Sequence, residues 1–416
     1  ATNEKSKNNA CSFNIANEDG QPYDNNKDMS NYCNEYFANI GIKMANNIKI
    51  PDDFSSQIPP INNSLFLTPV TENEIILQIN SLKKNSAPGM DAITAELIKS
   101  SHKQIVQPIT HIINLIFATG IVPSQFKSSI ITPVFKNGDN TRISNYRPIS
   151  LINNFGKIFE KCLKTRLVSF LKNNNILSPH QFGFLEGKST EDAMYEVVKE
   201  ITDNLDSSRK CAAVFLDLAK AFDTVPHDKL LNVLHSYGIR GNVLKLFTSY
   251  LTDRMQYVRV NNCLSDPQEV KIGVPQGTVL GPILFIIYLN SLLFLNTSGK
   301  ILSYADDTVV IFSGDTWDTV KEQMERGITA IKIWLDGHQL SLNAGKTKYI
   351  AFSITSKNRP NYDRINIERF SMVINEVYSI KYLGIVIDKN IKWEQHINKL
   401  TVNTRKLIFR FYQEIF

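Results

Sequence analysis

The chain has 416 residues, 43% of them hydrophobic and 21% charged, enough for a large core divided over two or three subdomains and too apolar for a disordered or fibrous chain. A net charge of +6 permits a polyanionic partner without requiring one, and neither a secretory leader nor an apolar run of about 18 residues argues for a membrane. Five cysteines, Cys11, Cys33, Cys162, Cys211 and Cys263, show no CxxC or Cys/His metal spacing, and their odd number suits a reducing, intracellular compartment.

Residues 1–30 are rich in Asn, Lys, Asp and Glu and poor in large apolar side chains, which predicts a disordered or loosely attached segment. Tyr36, Phe37, Ile40 and Met44 recur at helical spacing within residues 31–50, and a connector rich in Pro, Asn and Ser runs to Asn63. Thr71, ahead of Glu72 and Glu74, caps a helix with Ile75, Ile76, Ile79 and Leu82 on one face. Residues 83–99, KKNSAPGMDAITAELIK, put Lys83 and Lys84 before a Pro-Gly turn and then a helix started by Asp91 or Thr94.

Residues 129–151, SIITPVFKNGDNTRISNYRPISL, read as a strand, a turn at Asn137-Gly138-Asp139 and a second strand-like run. Lys136 lies just before the turn and Arg147 beyond it, so a hairpin brings both cations to one face. Such a face suits a triphosphate, since Lys supplies a point charge and Arg a bidentate fork; taken singly, each is ordinary solvated charge. Residues 155–173 carry Ile158, Phe159, Leu163, Leu167 and Leu171 at helical spacing with a basic exterior. The loop SPHQFGFLEGK follows, with Phe182 and Phe184, and then a helix capped by Ser189 with Asp192 three residues on.

In CAAVFLDLAKAFDTV, residues 211–225, an apolar strand delivers Asp217 at its end, and Asp223 follows in a helix-like segment. Helices are predicted at 228–239 and 242–251, a hairpin strand at 256–260, and a Gly/Pro-rich loop, GVPQGTVLGP, opens an apolar helix near residue 283. In ILSYADDTVVIF, residues 301–312, two short buried strands flank a turn of Tyr304, Ala305, Asp306 and Asp307. Adjacent carboxylates on a tight hairpin repel each other and lose hydration, a cost that a cation offsets. A DD pair alone is an ordinary Asp-rich turn. A second strand tipped by Asp217 changes that reading, because two such strands side by side can hold two Mg²⁺ ions about 3.5–4 Å apart, a clamp for phosphoryl transfer. A helix over 316–335 carries Val320, Met324, Ile328, Ile331 and Leu335 on one stripe, and residues 391–416 are amphipathic and basic.

Taken in order, DLAKAFD, GVPQGTVLGP and YADD resemble the palm motifs of reverse transcriptases, nearest to the non-LTR, LINE-type branch and its jockey-like insect elements. The resemblance runs from Leu82 to Trp393 and implies an α+β, right-hand polymerase architecture with fingers and palm and only part of a thumb. The expected boundaries are a partly disordered extension over 1–60, a fingers-rich region over 61–210, a palm over 211–390 and the start of a truncated thumb over 391–416. It further implies an RNA-directed DNA polymerase that extends a DNA primer on an RNA template with deoxynucleoside triphosphates. Asp217, Asp306 and Asp307 would hold two Mg²⁺ ions, or Mn²⁺ in their place, with the Leu218 carbonyl as an extra ligand. By the same resemblance Lys346 is the general acid for the leaving pyrophosphate, and Lys136 and Arg147 meet the incoming nucleotide. Phe222 lies beneath the sugar 2′ position and Gln276 touches the base-pairing layer, while Asp223 stays outside the catalytic set.

Lys83 and Lys84 become template contacts, and residues 378–387 a hairpin that grips the primer terminus. The element QFGFLEGKST would touch template and primer, although Phe182 and Phe184 read equally well as core residues. A retroelement enzyme that primes on chromosomal DNA implies action in the nucleus, without any basic import signal in these residues. Two alternatives stand beside this reading: an RNA-dependent RNA polymerase, against which Phe222 speaks, and a decayed or domesticated remnant that binds nucleic acid without catalysis, against which the three acids speak.

Overall fold

A computed structural model describes residues 13–17, 20–54, 58, 60–354 and 358–415, so Cys11 and the first twelve residues lie outside it. The chain divides into two compact units that are discontinuous in sequence. One takes Ala1–Asn47, Ile58–Ile176 and Phe222–Tyr288, and the other Ile48–Gln57, Leu177–Ala221 and Leu289–Phe416. Residues 222–288, which follow the Asp217 segment in the chain, belong with the first unit.

In the first unit, Ser128–Phe135 lies between Tyr146–Ile152, to which it is antiparallel, and Arg254–Val260, to which it is parallel. The long helix Asn26–Asn46 packs on this sheet, and the apolar core unites Ile15, Met29, Cys33 and Phe37 with Ile131, Tyr146, Val258 and Val260. Fully buried Asn34 fastens the helix: its Nδ2 donates to the Ser265 hydroxyl at 2.9 Å and its Oδ1 accepts from Gln256 Nε2 at 2.9 Å. This corrects the expectation of a loose segment as far as Ser30 over residues 13–17 and 20–30. The polar residues read as disorder are in part a helix start, with the Asn25 side chain accepting from the Asp28 N–H.

Thr71 caps Glu72–Asn80 as expected, and of the two candidate starts near residue 94 it is Thr94 that accepts from Leu97 N–H and opens Ala95–Ser100. Asp91 instead accepts from Ile93 N–H, two residues on, and shapes the preceding turn. Helices His102–Thr119 and Asn154–Asn173 complete this side of the unit, the second capped by the Asn153 side chain on Gly156 N–H.

The second unit is built on a six-stranded sheet in the order Arg364–Ile367, Met372–Glu376, Lys348–Phe352, Lys210–Leu216, Asp307–Gly314 and Lys300–Tyr304. Lys210–Leu216 is central and apolar on both faces, as a strand covered by helices must be. Cys211, Ala213 and Phe215 pack with Val197 and Ile201 of helix Thr190–Asp206. The opposite face, marked by Phe312, meets helix Trp317–Gly337 at Gly327, where a Cβ would lie 2.6 Å from the Phe312 ring. Buried Cys33, Cys162 and Cys211 have thiols pushed up to about 12 by desolvation, so these cysteines are packing residues. The hairpin Ser379–Tyr382 with Ile385–Asp388 turns through Leu383 and Gly384, both at positive φ, and leads to helix Glu394–Ile415.

Candidate active site

Pairing of Lys210–Leu216 with Asp307–Gly314 sets Leu216 opposite Thr308. Asp217 follows the last residue of one strand and Asp307 opens the other, so the register brings the two acids to neighbouring strand ends. Tyr304 pairs with Asp307, which leaves Ala305 and Asp306 as a two-residue turn. Asp217 and Asp306 are half-buried and Asp307 is exposed.

The turn is strained and braced. Ala305 has φ +58°, a conformation that usually falls to glycine at the first position of a two-residue hairpin turn and costs an L residue about 1–2 kcal/mol. Its N–H donates to Gln181 Oε1 at 3.0 Å and its carbonyl accepts from the Ser303 hydroxyl at 2.7 Å. The same Gln181 oxygen accepts the Gly183 N–H at 2.8 Å. Residues 180–182 run beside the hairpin, Phe182 N–H donating to the Ser303 carbonyl and Ser303 N–H to that of His180. At Gly183 a Cβ would lie 2.4 Å from the Ala305 nitrogen, so no side chain fits. Gln181 is 1% exposed and its Nε2 has no partner among the described residues, a burial that costs about 1–3 kcal/mol. Phe182 joins the core, whereas Phe184 is exposed and so does not fit the core reading.

Asp217 is held through its backbone. Its N–H donates to Thr347 Oγ1 at 3.3 Å and its carbonyl accepts the Asn343 N–H at 2.8 Å. Asn343 in turn accepts the Lys346 N–H on its carbonyl and its side-chain oxygen, so exposed Lys346 sits in a turn hung from the Asp217 peptide. Leu218 pairs with Leu342 in a short ladder beside it. Tyr382 Oη donates to the Asp307 carbonyl at 3.2 Å, and burial, helped by the Asp307 charge, pushes the phenol pKa well up. The 378–387 hairpin is thereby tied to the acid-bearing strand.

The remaining expected residues belong to the first unit. Arg147 is opposite Val134, and Lys136 lies two residues beyond Val134, so both exposed cations are on one face of the hairpin. The Phe222 ring stacks on buried Phe285 with centroids 4.2 Å apart. Gln276 Nε2 donates to Asp223 Oδ1 at 2.7 Å, and the Gln276 carbonyl accepts the Ser150 N–H at 2.6 Å. A pocket lined by Pro148, Ser150, Asp223, Pro275 and Gln276 opens there.

The first unit also holds an acid the sequence reading passed over. Glu160 is 1% exposed; its Oε2 accepts the N–H groups of Val279 at 2.6 Å and Leu280 at 3.0 Å, and its Oε1 accepts the Tyr250 hydroxyl at 2.7 Å. Desolvation raises its pKa against those donors. The signal was there: Leu163, Leu167 and Leu171 follow Glu160 at spacings of three, seven and eleven, which puts the acid on the apolar stripe.

Among the described residues no group of three or more His, Cys, Asp and Glu is arranged to hold a metal ion. The expected cage of three acids is therefore not closed by protein groups alone. The donor set does fit Mg²⁺, a hard cation that binds through one or two carboxylates and takes its other ligands from substrate phosphates and water.

Residues 134–387 match the family model described as "Reverse transcriptase (RNA-dependent DNA polymerase)". The chain is 31% identical over 356 residues to the "Probable RNA-directed DNA polymerase from transposon BS" of Drosophila melanogaster, covering 82% of this chain and 38% of that protein. It is 27% identical to the "RNA-directed DNA polymerase from mobile element jockey" of Drosophila funebris, covering 84% of this chain and 38% of that one. The chain thus spans well under half the length of these relatives. Among solved structures, apo telomerase from Candida tropicalis, truncated from its C-terminal domain, aligns at 16% identity with a TM-score of 0.45, covering 65% of this chain and 55% of that one. With residues 134–387 matching the family model and its relatives among jockey-type mobile elements, the chain belongs to the reverse transcriptase family, on the non-LTR retrotransposon branch.

Proposed function

We propose that this chain is the polymerase portion of a non-LTR retrotransposon protein, extending a DNA primer on an RNA template with deoxynucleoside triphosphates. The observation that carries the reading is the pairing of Leu216 with Thr308, whose next residues along the chain are Asp217 and Asp307. Asp217, Asp306 and Asp307 would hold the Mg²⁺ ions. When bound, these supply charge neutralisation to the attacking and leaving oxygens of an in-line displacement.

The chain's own groups do the rest. Lys136 and Arg147 bind the triphosphate from one hairpin face. Phe222, its ring fixed against Phe285, occupies the space a ribose 2′-hydroxyl would need and selects deoxynucleotides. Gln276, oriented by Asp223, supports the nascent base pair. Lys346 Nζ gives a proton to the departing pyrophosphate. The site of action is the nucleus or the cytoplasm, nuclear action following from the family alone.

Primer extension on poly(rA)/oligo(dT) with Mg²⁺ and dTTP, then UTP, tests the proposal. Incorporation of dTTP and little of UTP is expected. Equal use of UTP would overturn the role of Phe222, and a protein that binds primer–template but adds neither nucleotide would be a non-catalytic remnant.

A further inference from the structure

Three costs coincide on one side of the acid-bearing turn, all within the second unit. Ala305 is held at φ +58°. Gln181, almost fully buried, spends its oxygen on the N–H groups of Ala305 and Gly183 and leaves its Nε2 without a partner among the described residues. Only the amide oxygen can accept those two N–H groups, so the orientation of the side chain follows from chemistry. Gly183 is pressed so close to Ala305 that nothing larger fits. Strained or unsatisfied groups persist where a turn must be held in a conformation it would otherwise leave.

We infer that Gln181 is a positioning residue for polymerisation: through the Ala305 N–H it fixes the turn that aims the Asp306 and Asp307 carboxylates. The inference rests on the polymerase reading above and adds to it a residue that touches neither nucleotide nor primer. Its action is on the geometry of the acids, so it affects the rate of the chemical step and the affinity for a divalent cation, and leaves nucleotide affinity alone.

The test compares Gln181→Met, which keeps length and burial but removes the acceptor, with Gln181→Glu, which restores an accepting oxygen. Gln181→Met is expected to slow single-turnover dTTP addition about tenfold to a hundredfold, the scale of a misplaced catalytic group, with the nucleotide KM unchanged within about twofold. Mn²⁺ binding without nucleotide, read by water-proton relaxation and expressed per folded molecule, should weaken in parallel, and Gln181→Glu should recover most of both losses. If Gln181→Met does not fold, Gly183→Ala pushes the same turn by its backbone and should give the same pair of losses.

Unchanged rate and Mn²⁺ binding in a folded Gln181→Met, or losses that merely follow the unfolded fraction, would overturn the inference. If the wild-type protein binds Mn²⁺ but extends no primer, the polymerase reading fails and the relaxation measurement alone decides: weaker binding in Gln181→Met supports the positioning role, and equal binding overturns it. A wild-type protein that does not bind Mn²⁺ would overturn both.

Discussion

Glu160 in the first unit and Asp217 with Asp307 in the second put one functional group into opposite surroundings. Glu160 is buried, and both its oxygens are engaged by donors of the protein: two backbone N–H groups at the start of helix Gly281–Leu289 and a tyrosine hydroxyl. Asp217 and Asp307 stand at strand ends and reach solvent, and what is braced there is the backbone that carries them. The first arrangement completes a carboxylate and makes it a strut. The second holds the backbone that carries the acids, at strand ends within reach of solvent. Mutation should separate the two, since loss of a strut unfolds the protein and loss of a poised acid silences it.

The widest effect is expected at Asp217. Asp217→Asn should lower primer extension by about a thousandfold or more, because no other group replaces its charge, while the melting temperature changes little. A folded Asp217→Asn that still extends primers would break the comparison. Lys346 comes next: Lys346→Met should cost about a hundredfold in single-turnover rate, typical of a lost general acid, with the nucleotide KM little changed. A loss carried by KM with the rate intact would show that its role is binding alone. Glu160→Ala should behave in the reverse sense. It strands three donors, so urea unfolding should report a loss of about 3 kcal/mol or more, whereas the rate per folded molecule falls by less than about tenfold.

Legibility in the sequence followed the range of the interactions involved. Capping at Thr71 and Ser189 is decided within four residues, and there the reading and the structure agree. The apolar strands that end in Asp217 and begin at Asp307 were readable from their pattern, and the register followed once they paired. Gln181 was not readable, since nothing local shows that its amide meets a turn 124 residues away. Residues 13–17 and 20–30 misled for a related reason: Ile15 and Met29 are sparse among polar neighbours, and only the sheet they cover, formed by residues about a hundred positions later, makes them core. Glu160 is the intermediate case, visible on the helical stripe but explained only by the N–H groups of Val279 and Leu280.

The smallest predicted effect tests whether burial governs Glu160. Its pKa is raised in the folded protein, so between the ordinary carboxylate value of 4.5 and the raised one the native state keeps a proton that the unfolded chain has lost. Stability then falls as pH rises through that window and levels off above it, each unit of elevation accounting for about 1.4 kcal/mol. The proton must sit on Oε1, because Oε2 is committed to the two N–H groups, and Tyr250 must then turn its hydroxyl to accept. Glu160→Gln reproduces that protonated arrangement at every pH, with the amide nitrogen donating to Tyr250. Acids elsewhere whose pKa values are lowered by hydrogen bonds, such as Asp192 capped by Ser189, tilt the absolute curve the other way at low pH, but they cancel in the difference between variant and wild type. The stability of Glu160→Gln relative to wild type should therefore be near zero below about pH 4 and become increasingly favourable toward neutrality in parallel urea titrations. A difference that stays flat or reverses would mean that the two N–H groups and the helix start hold Glu160 ionised, and that donors outweigh burial in setting its charge.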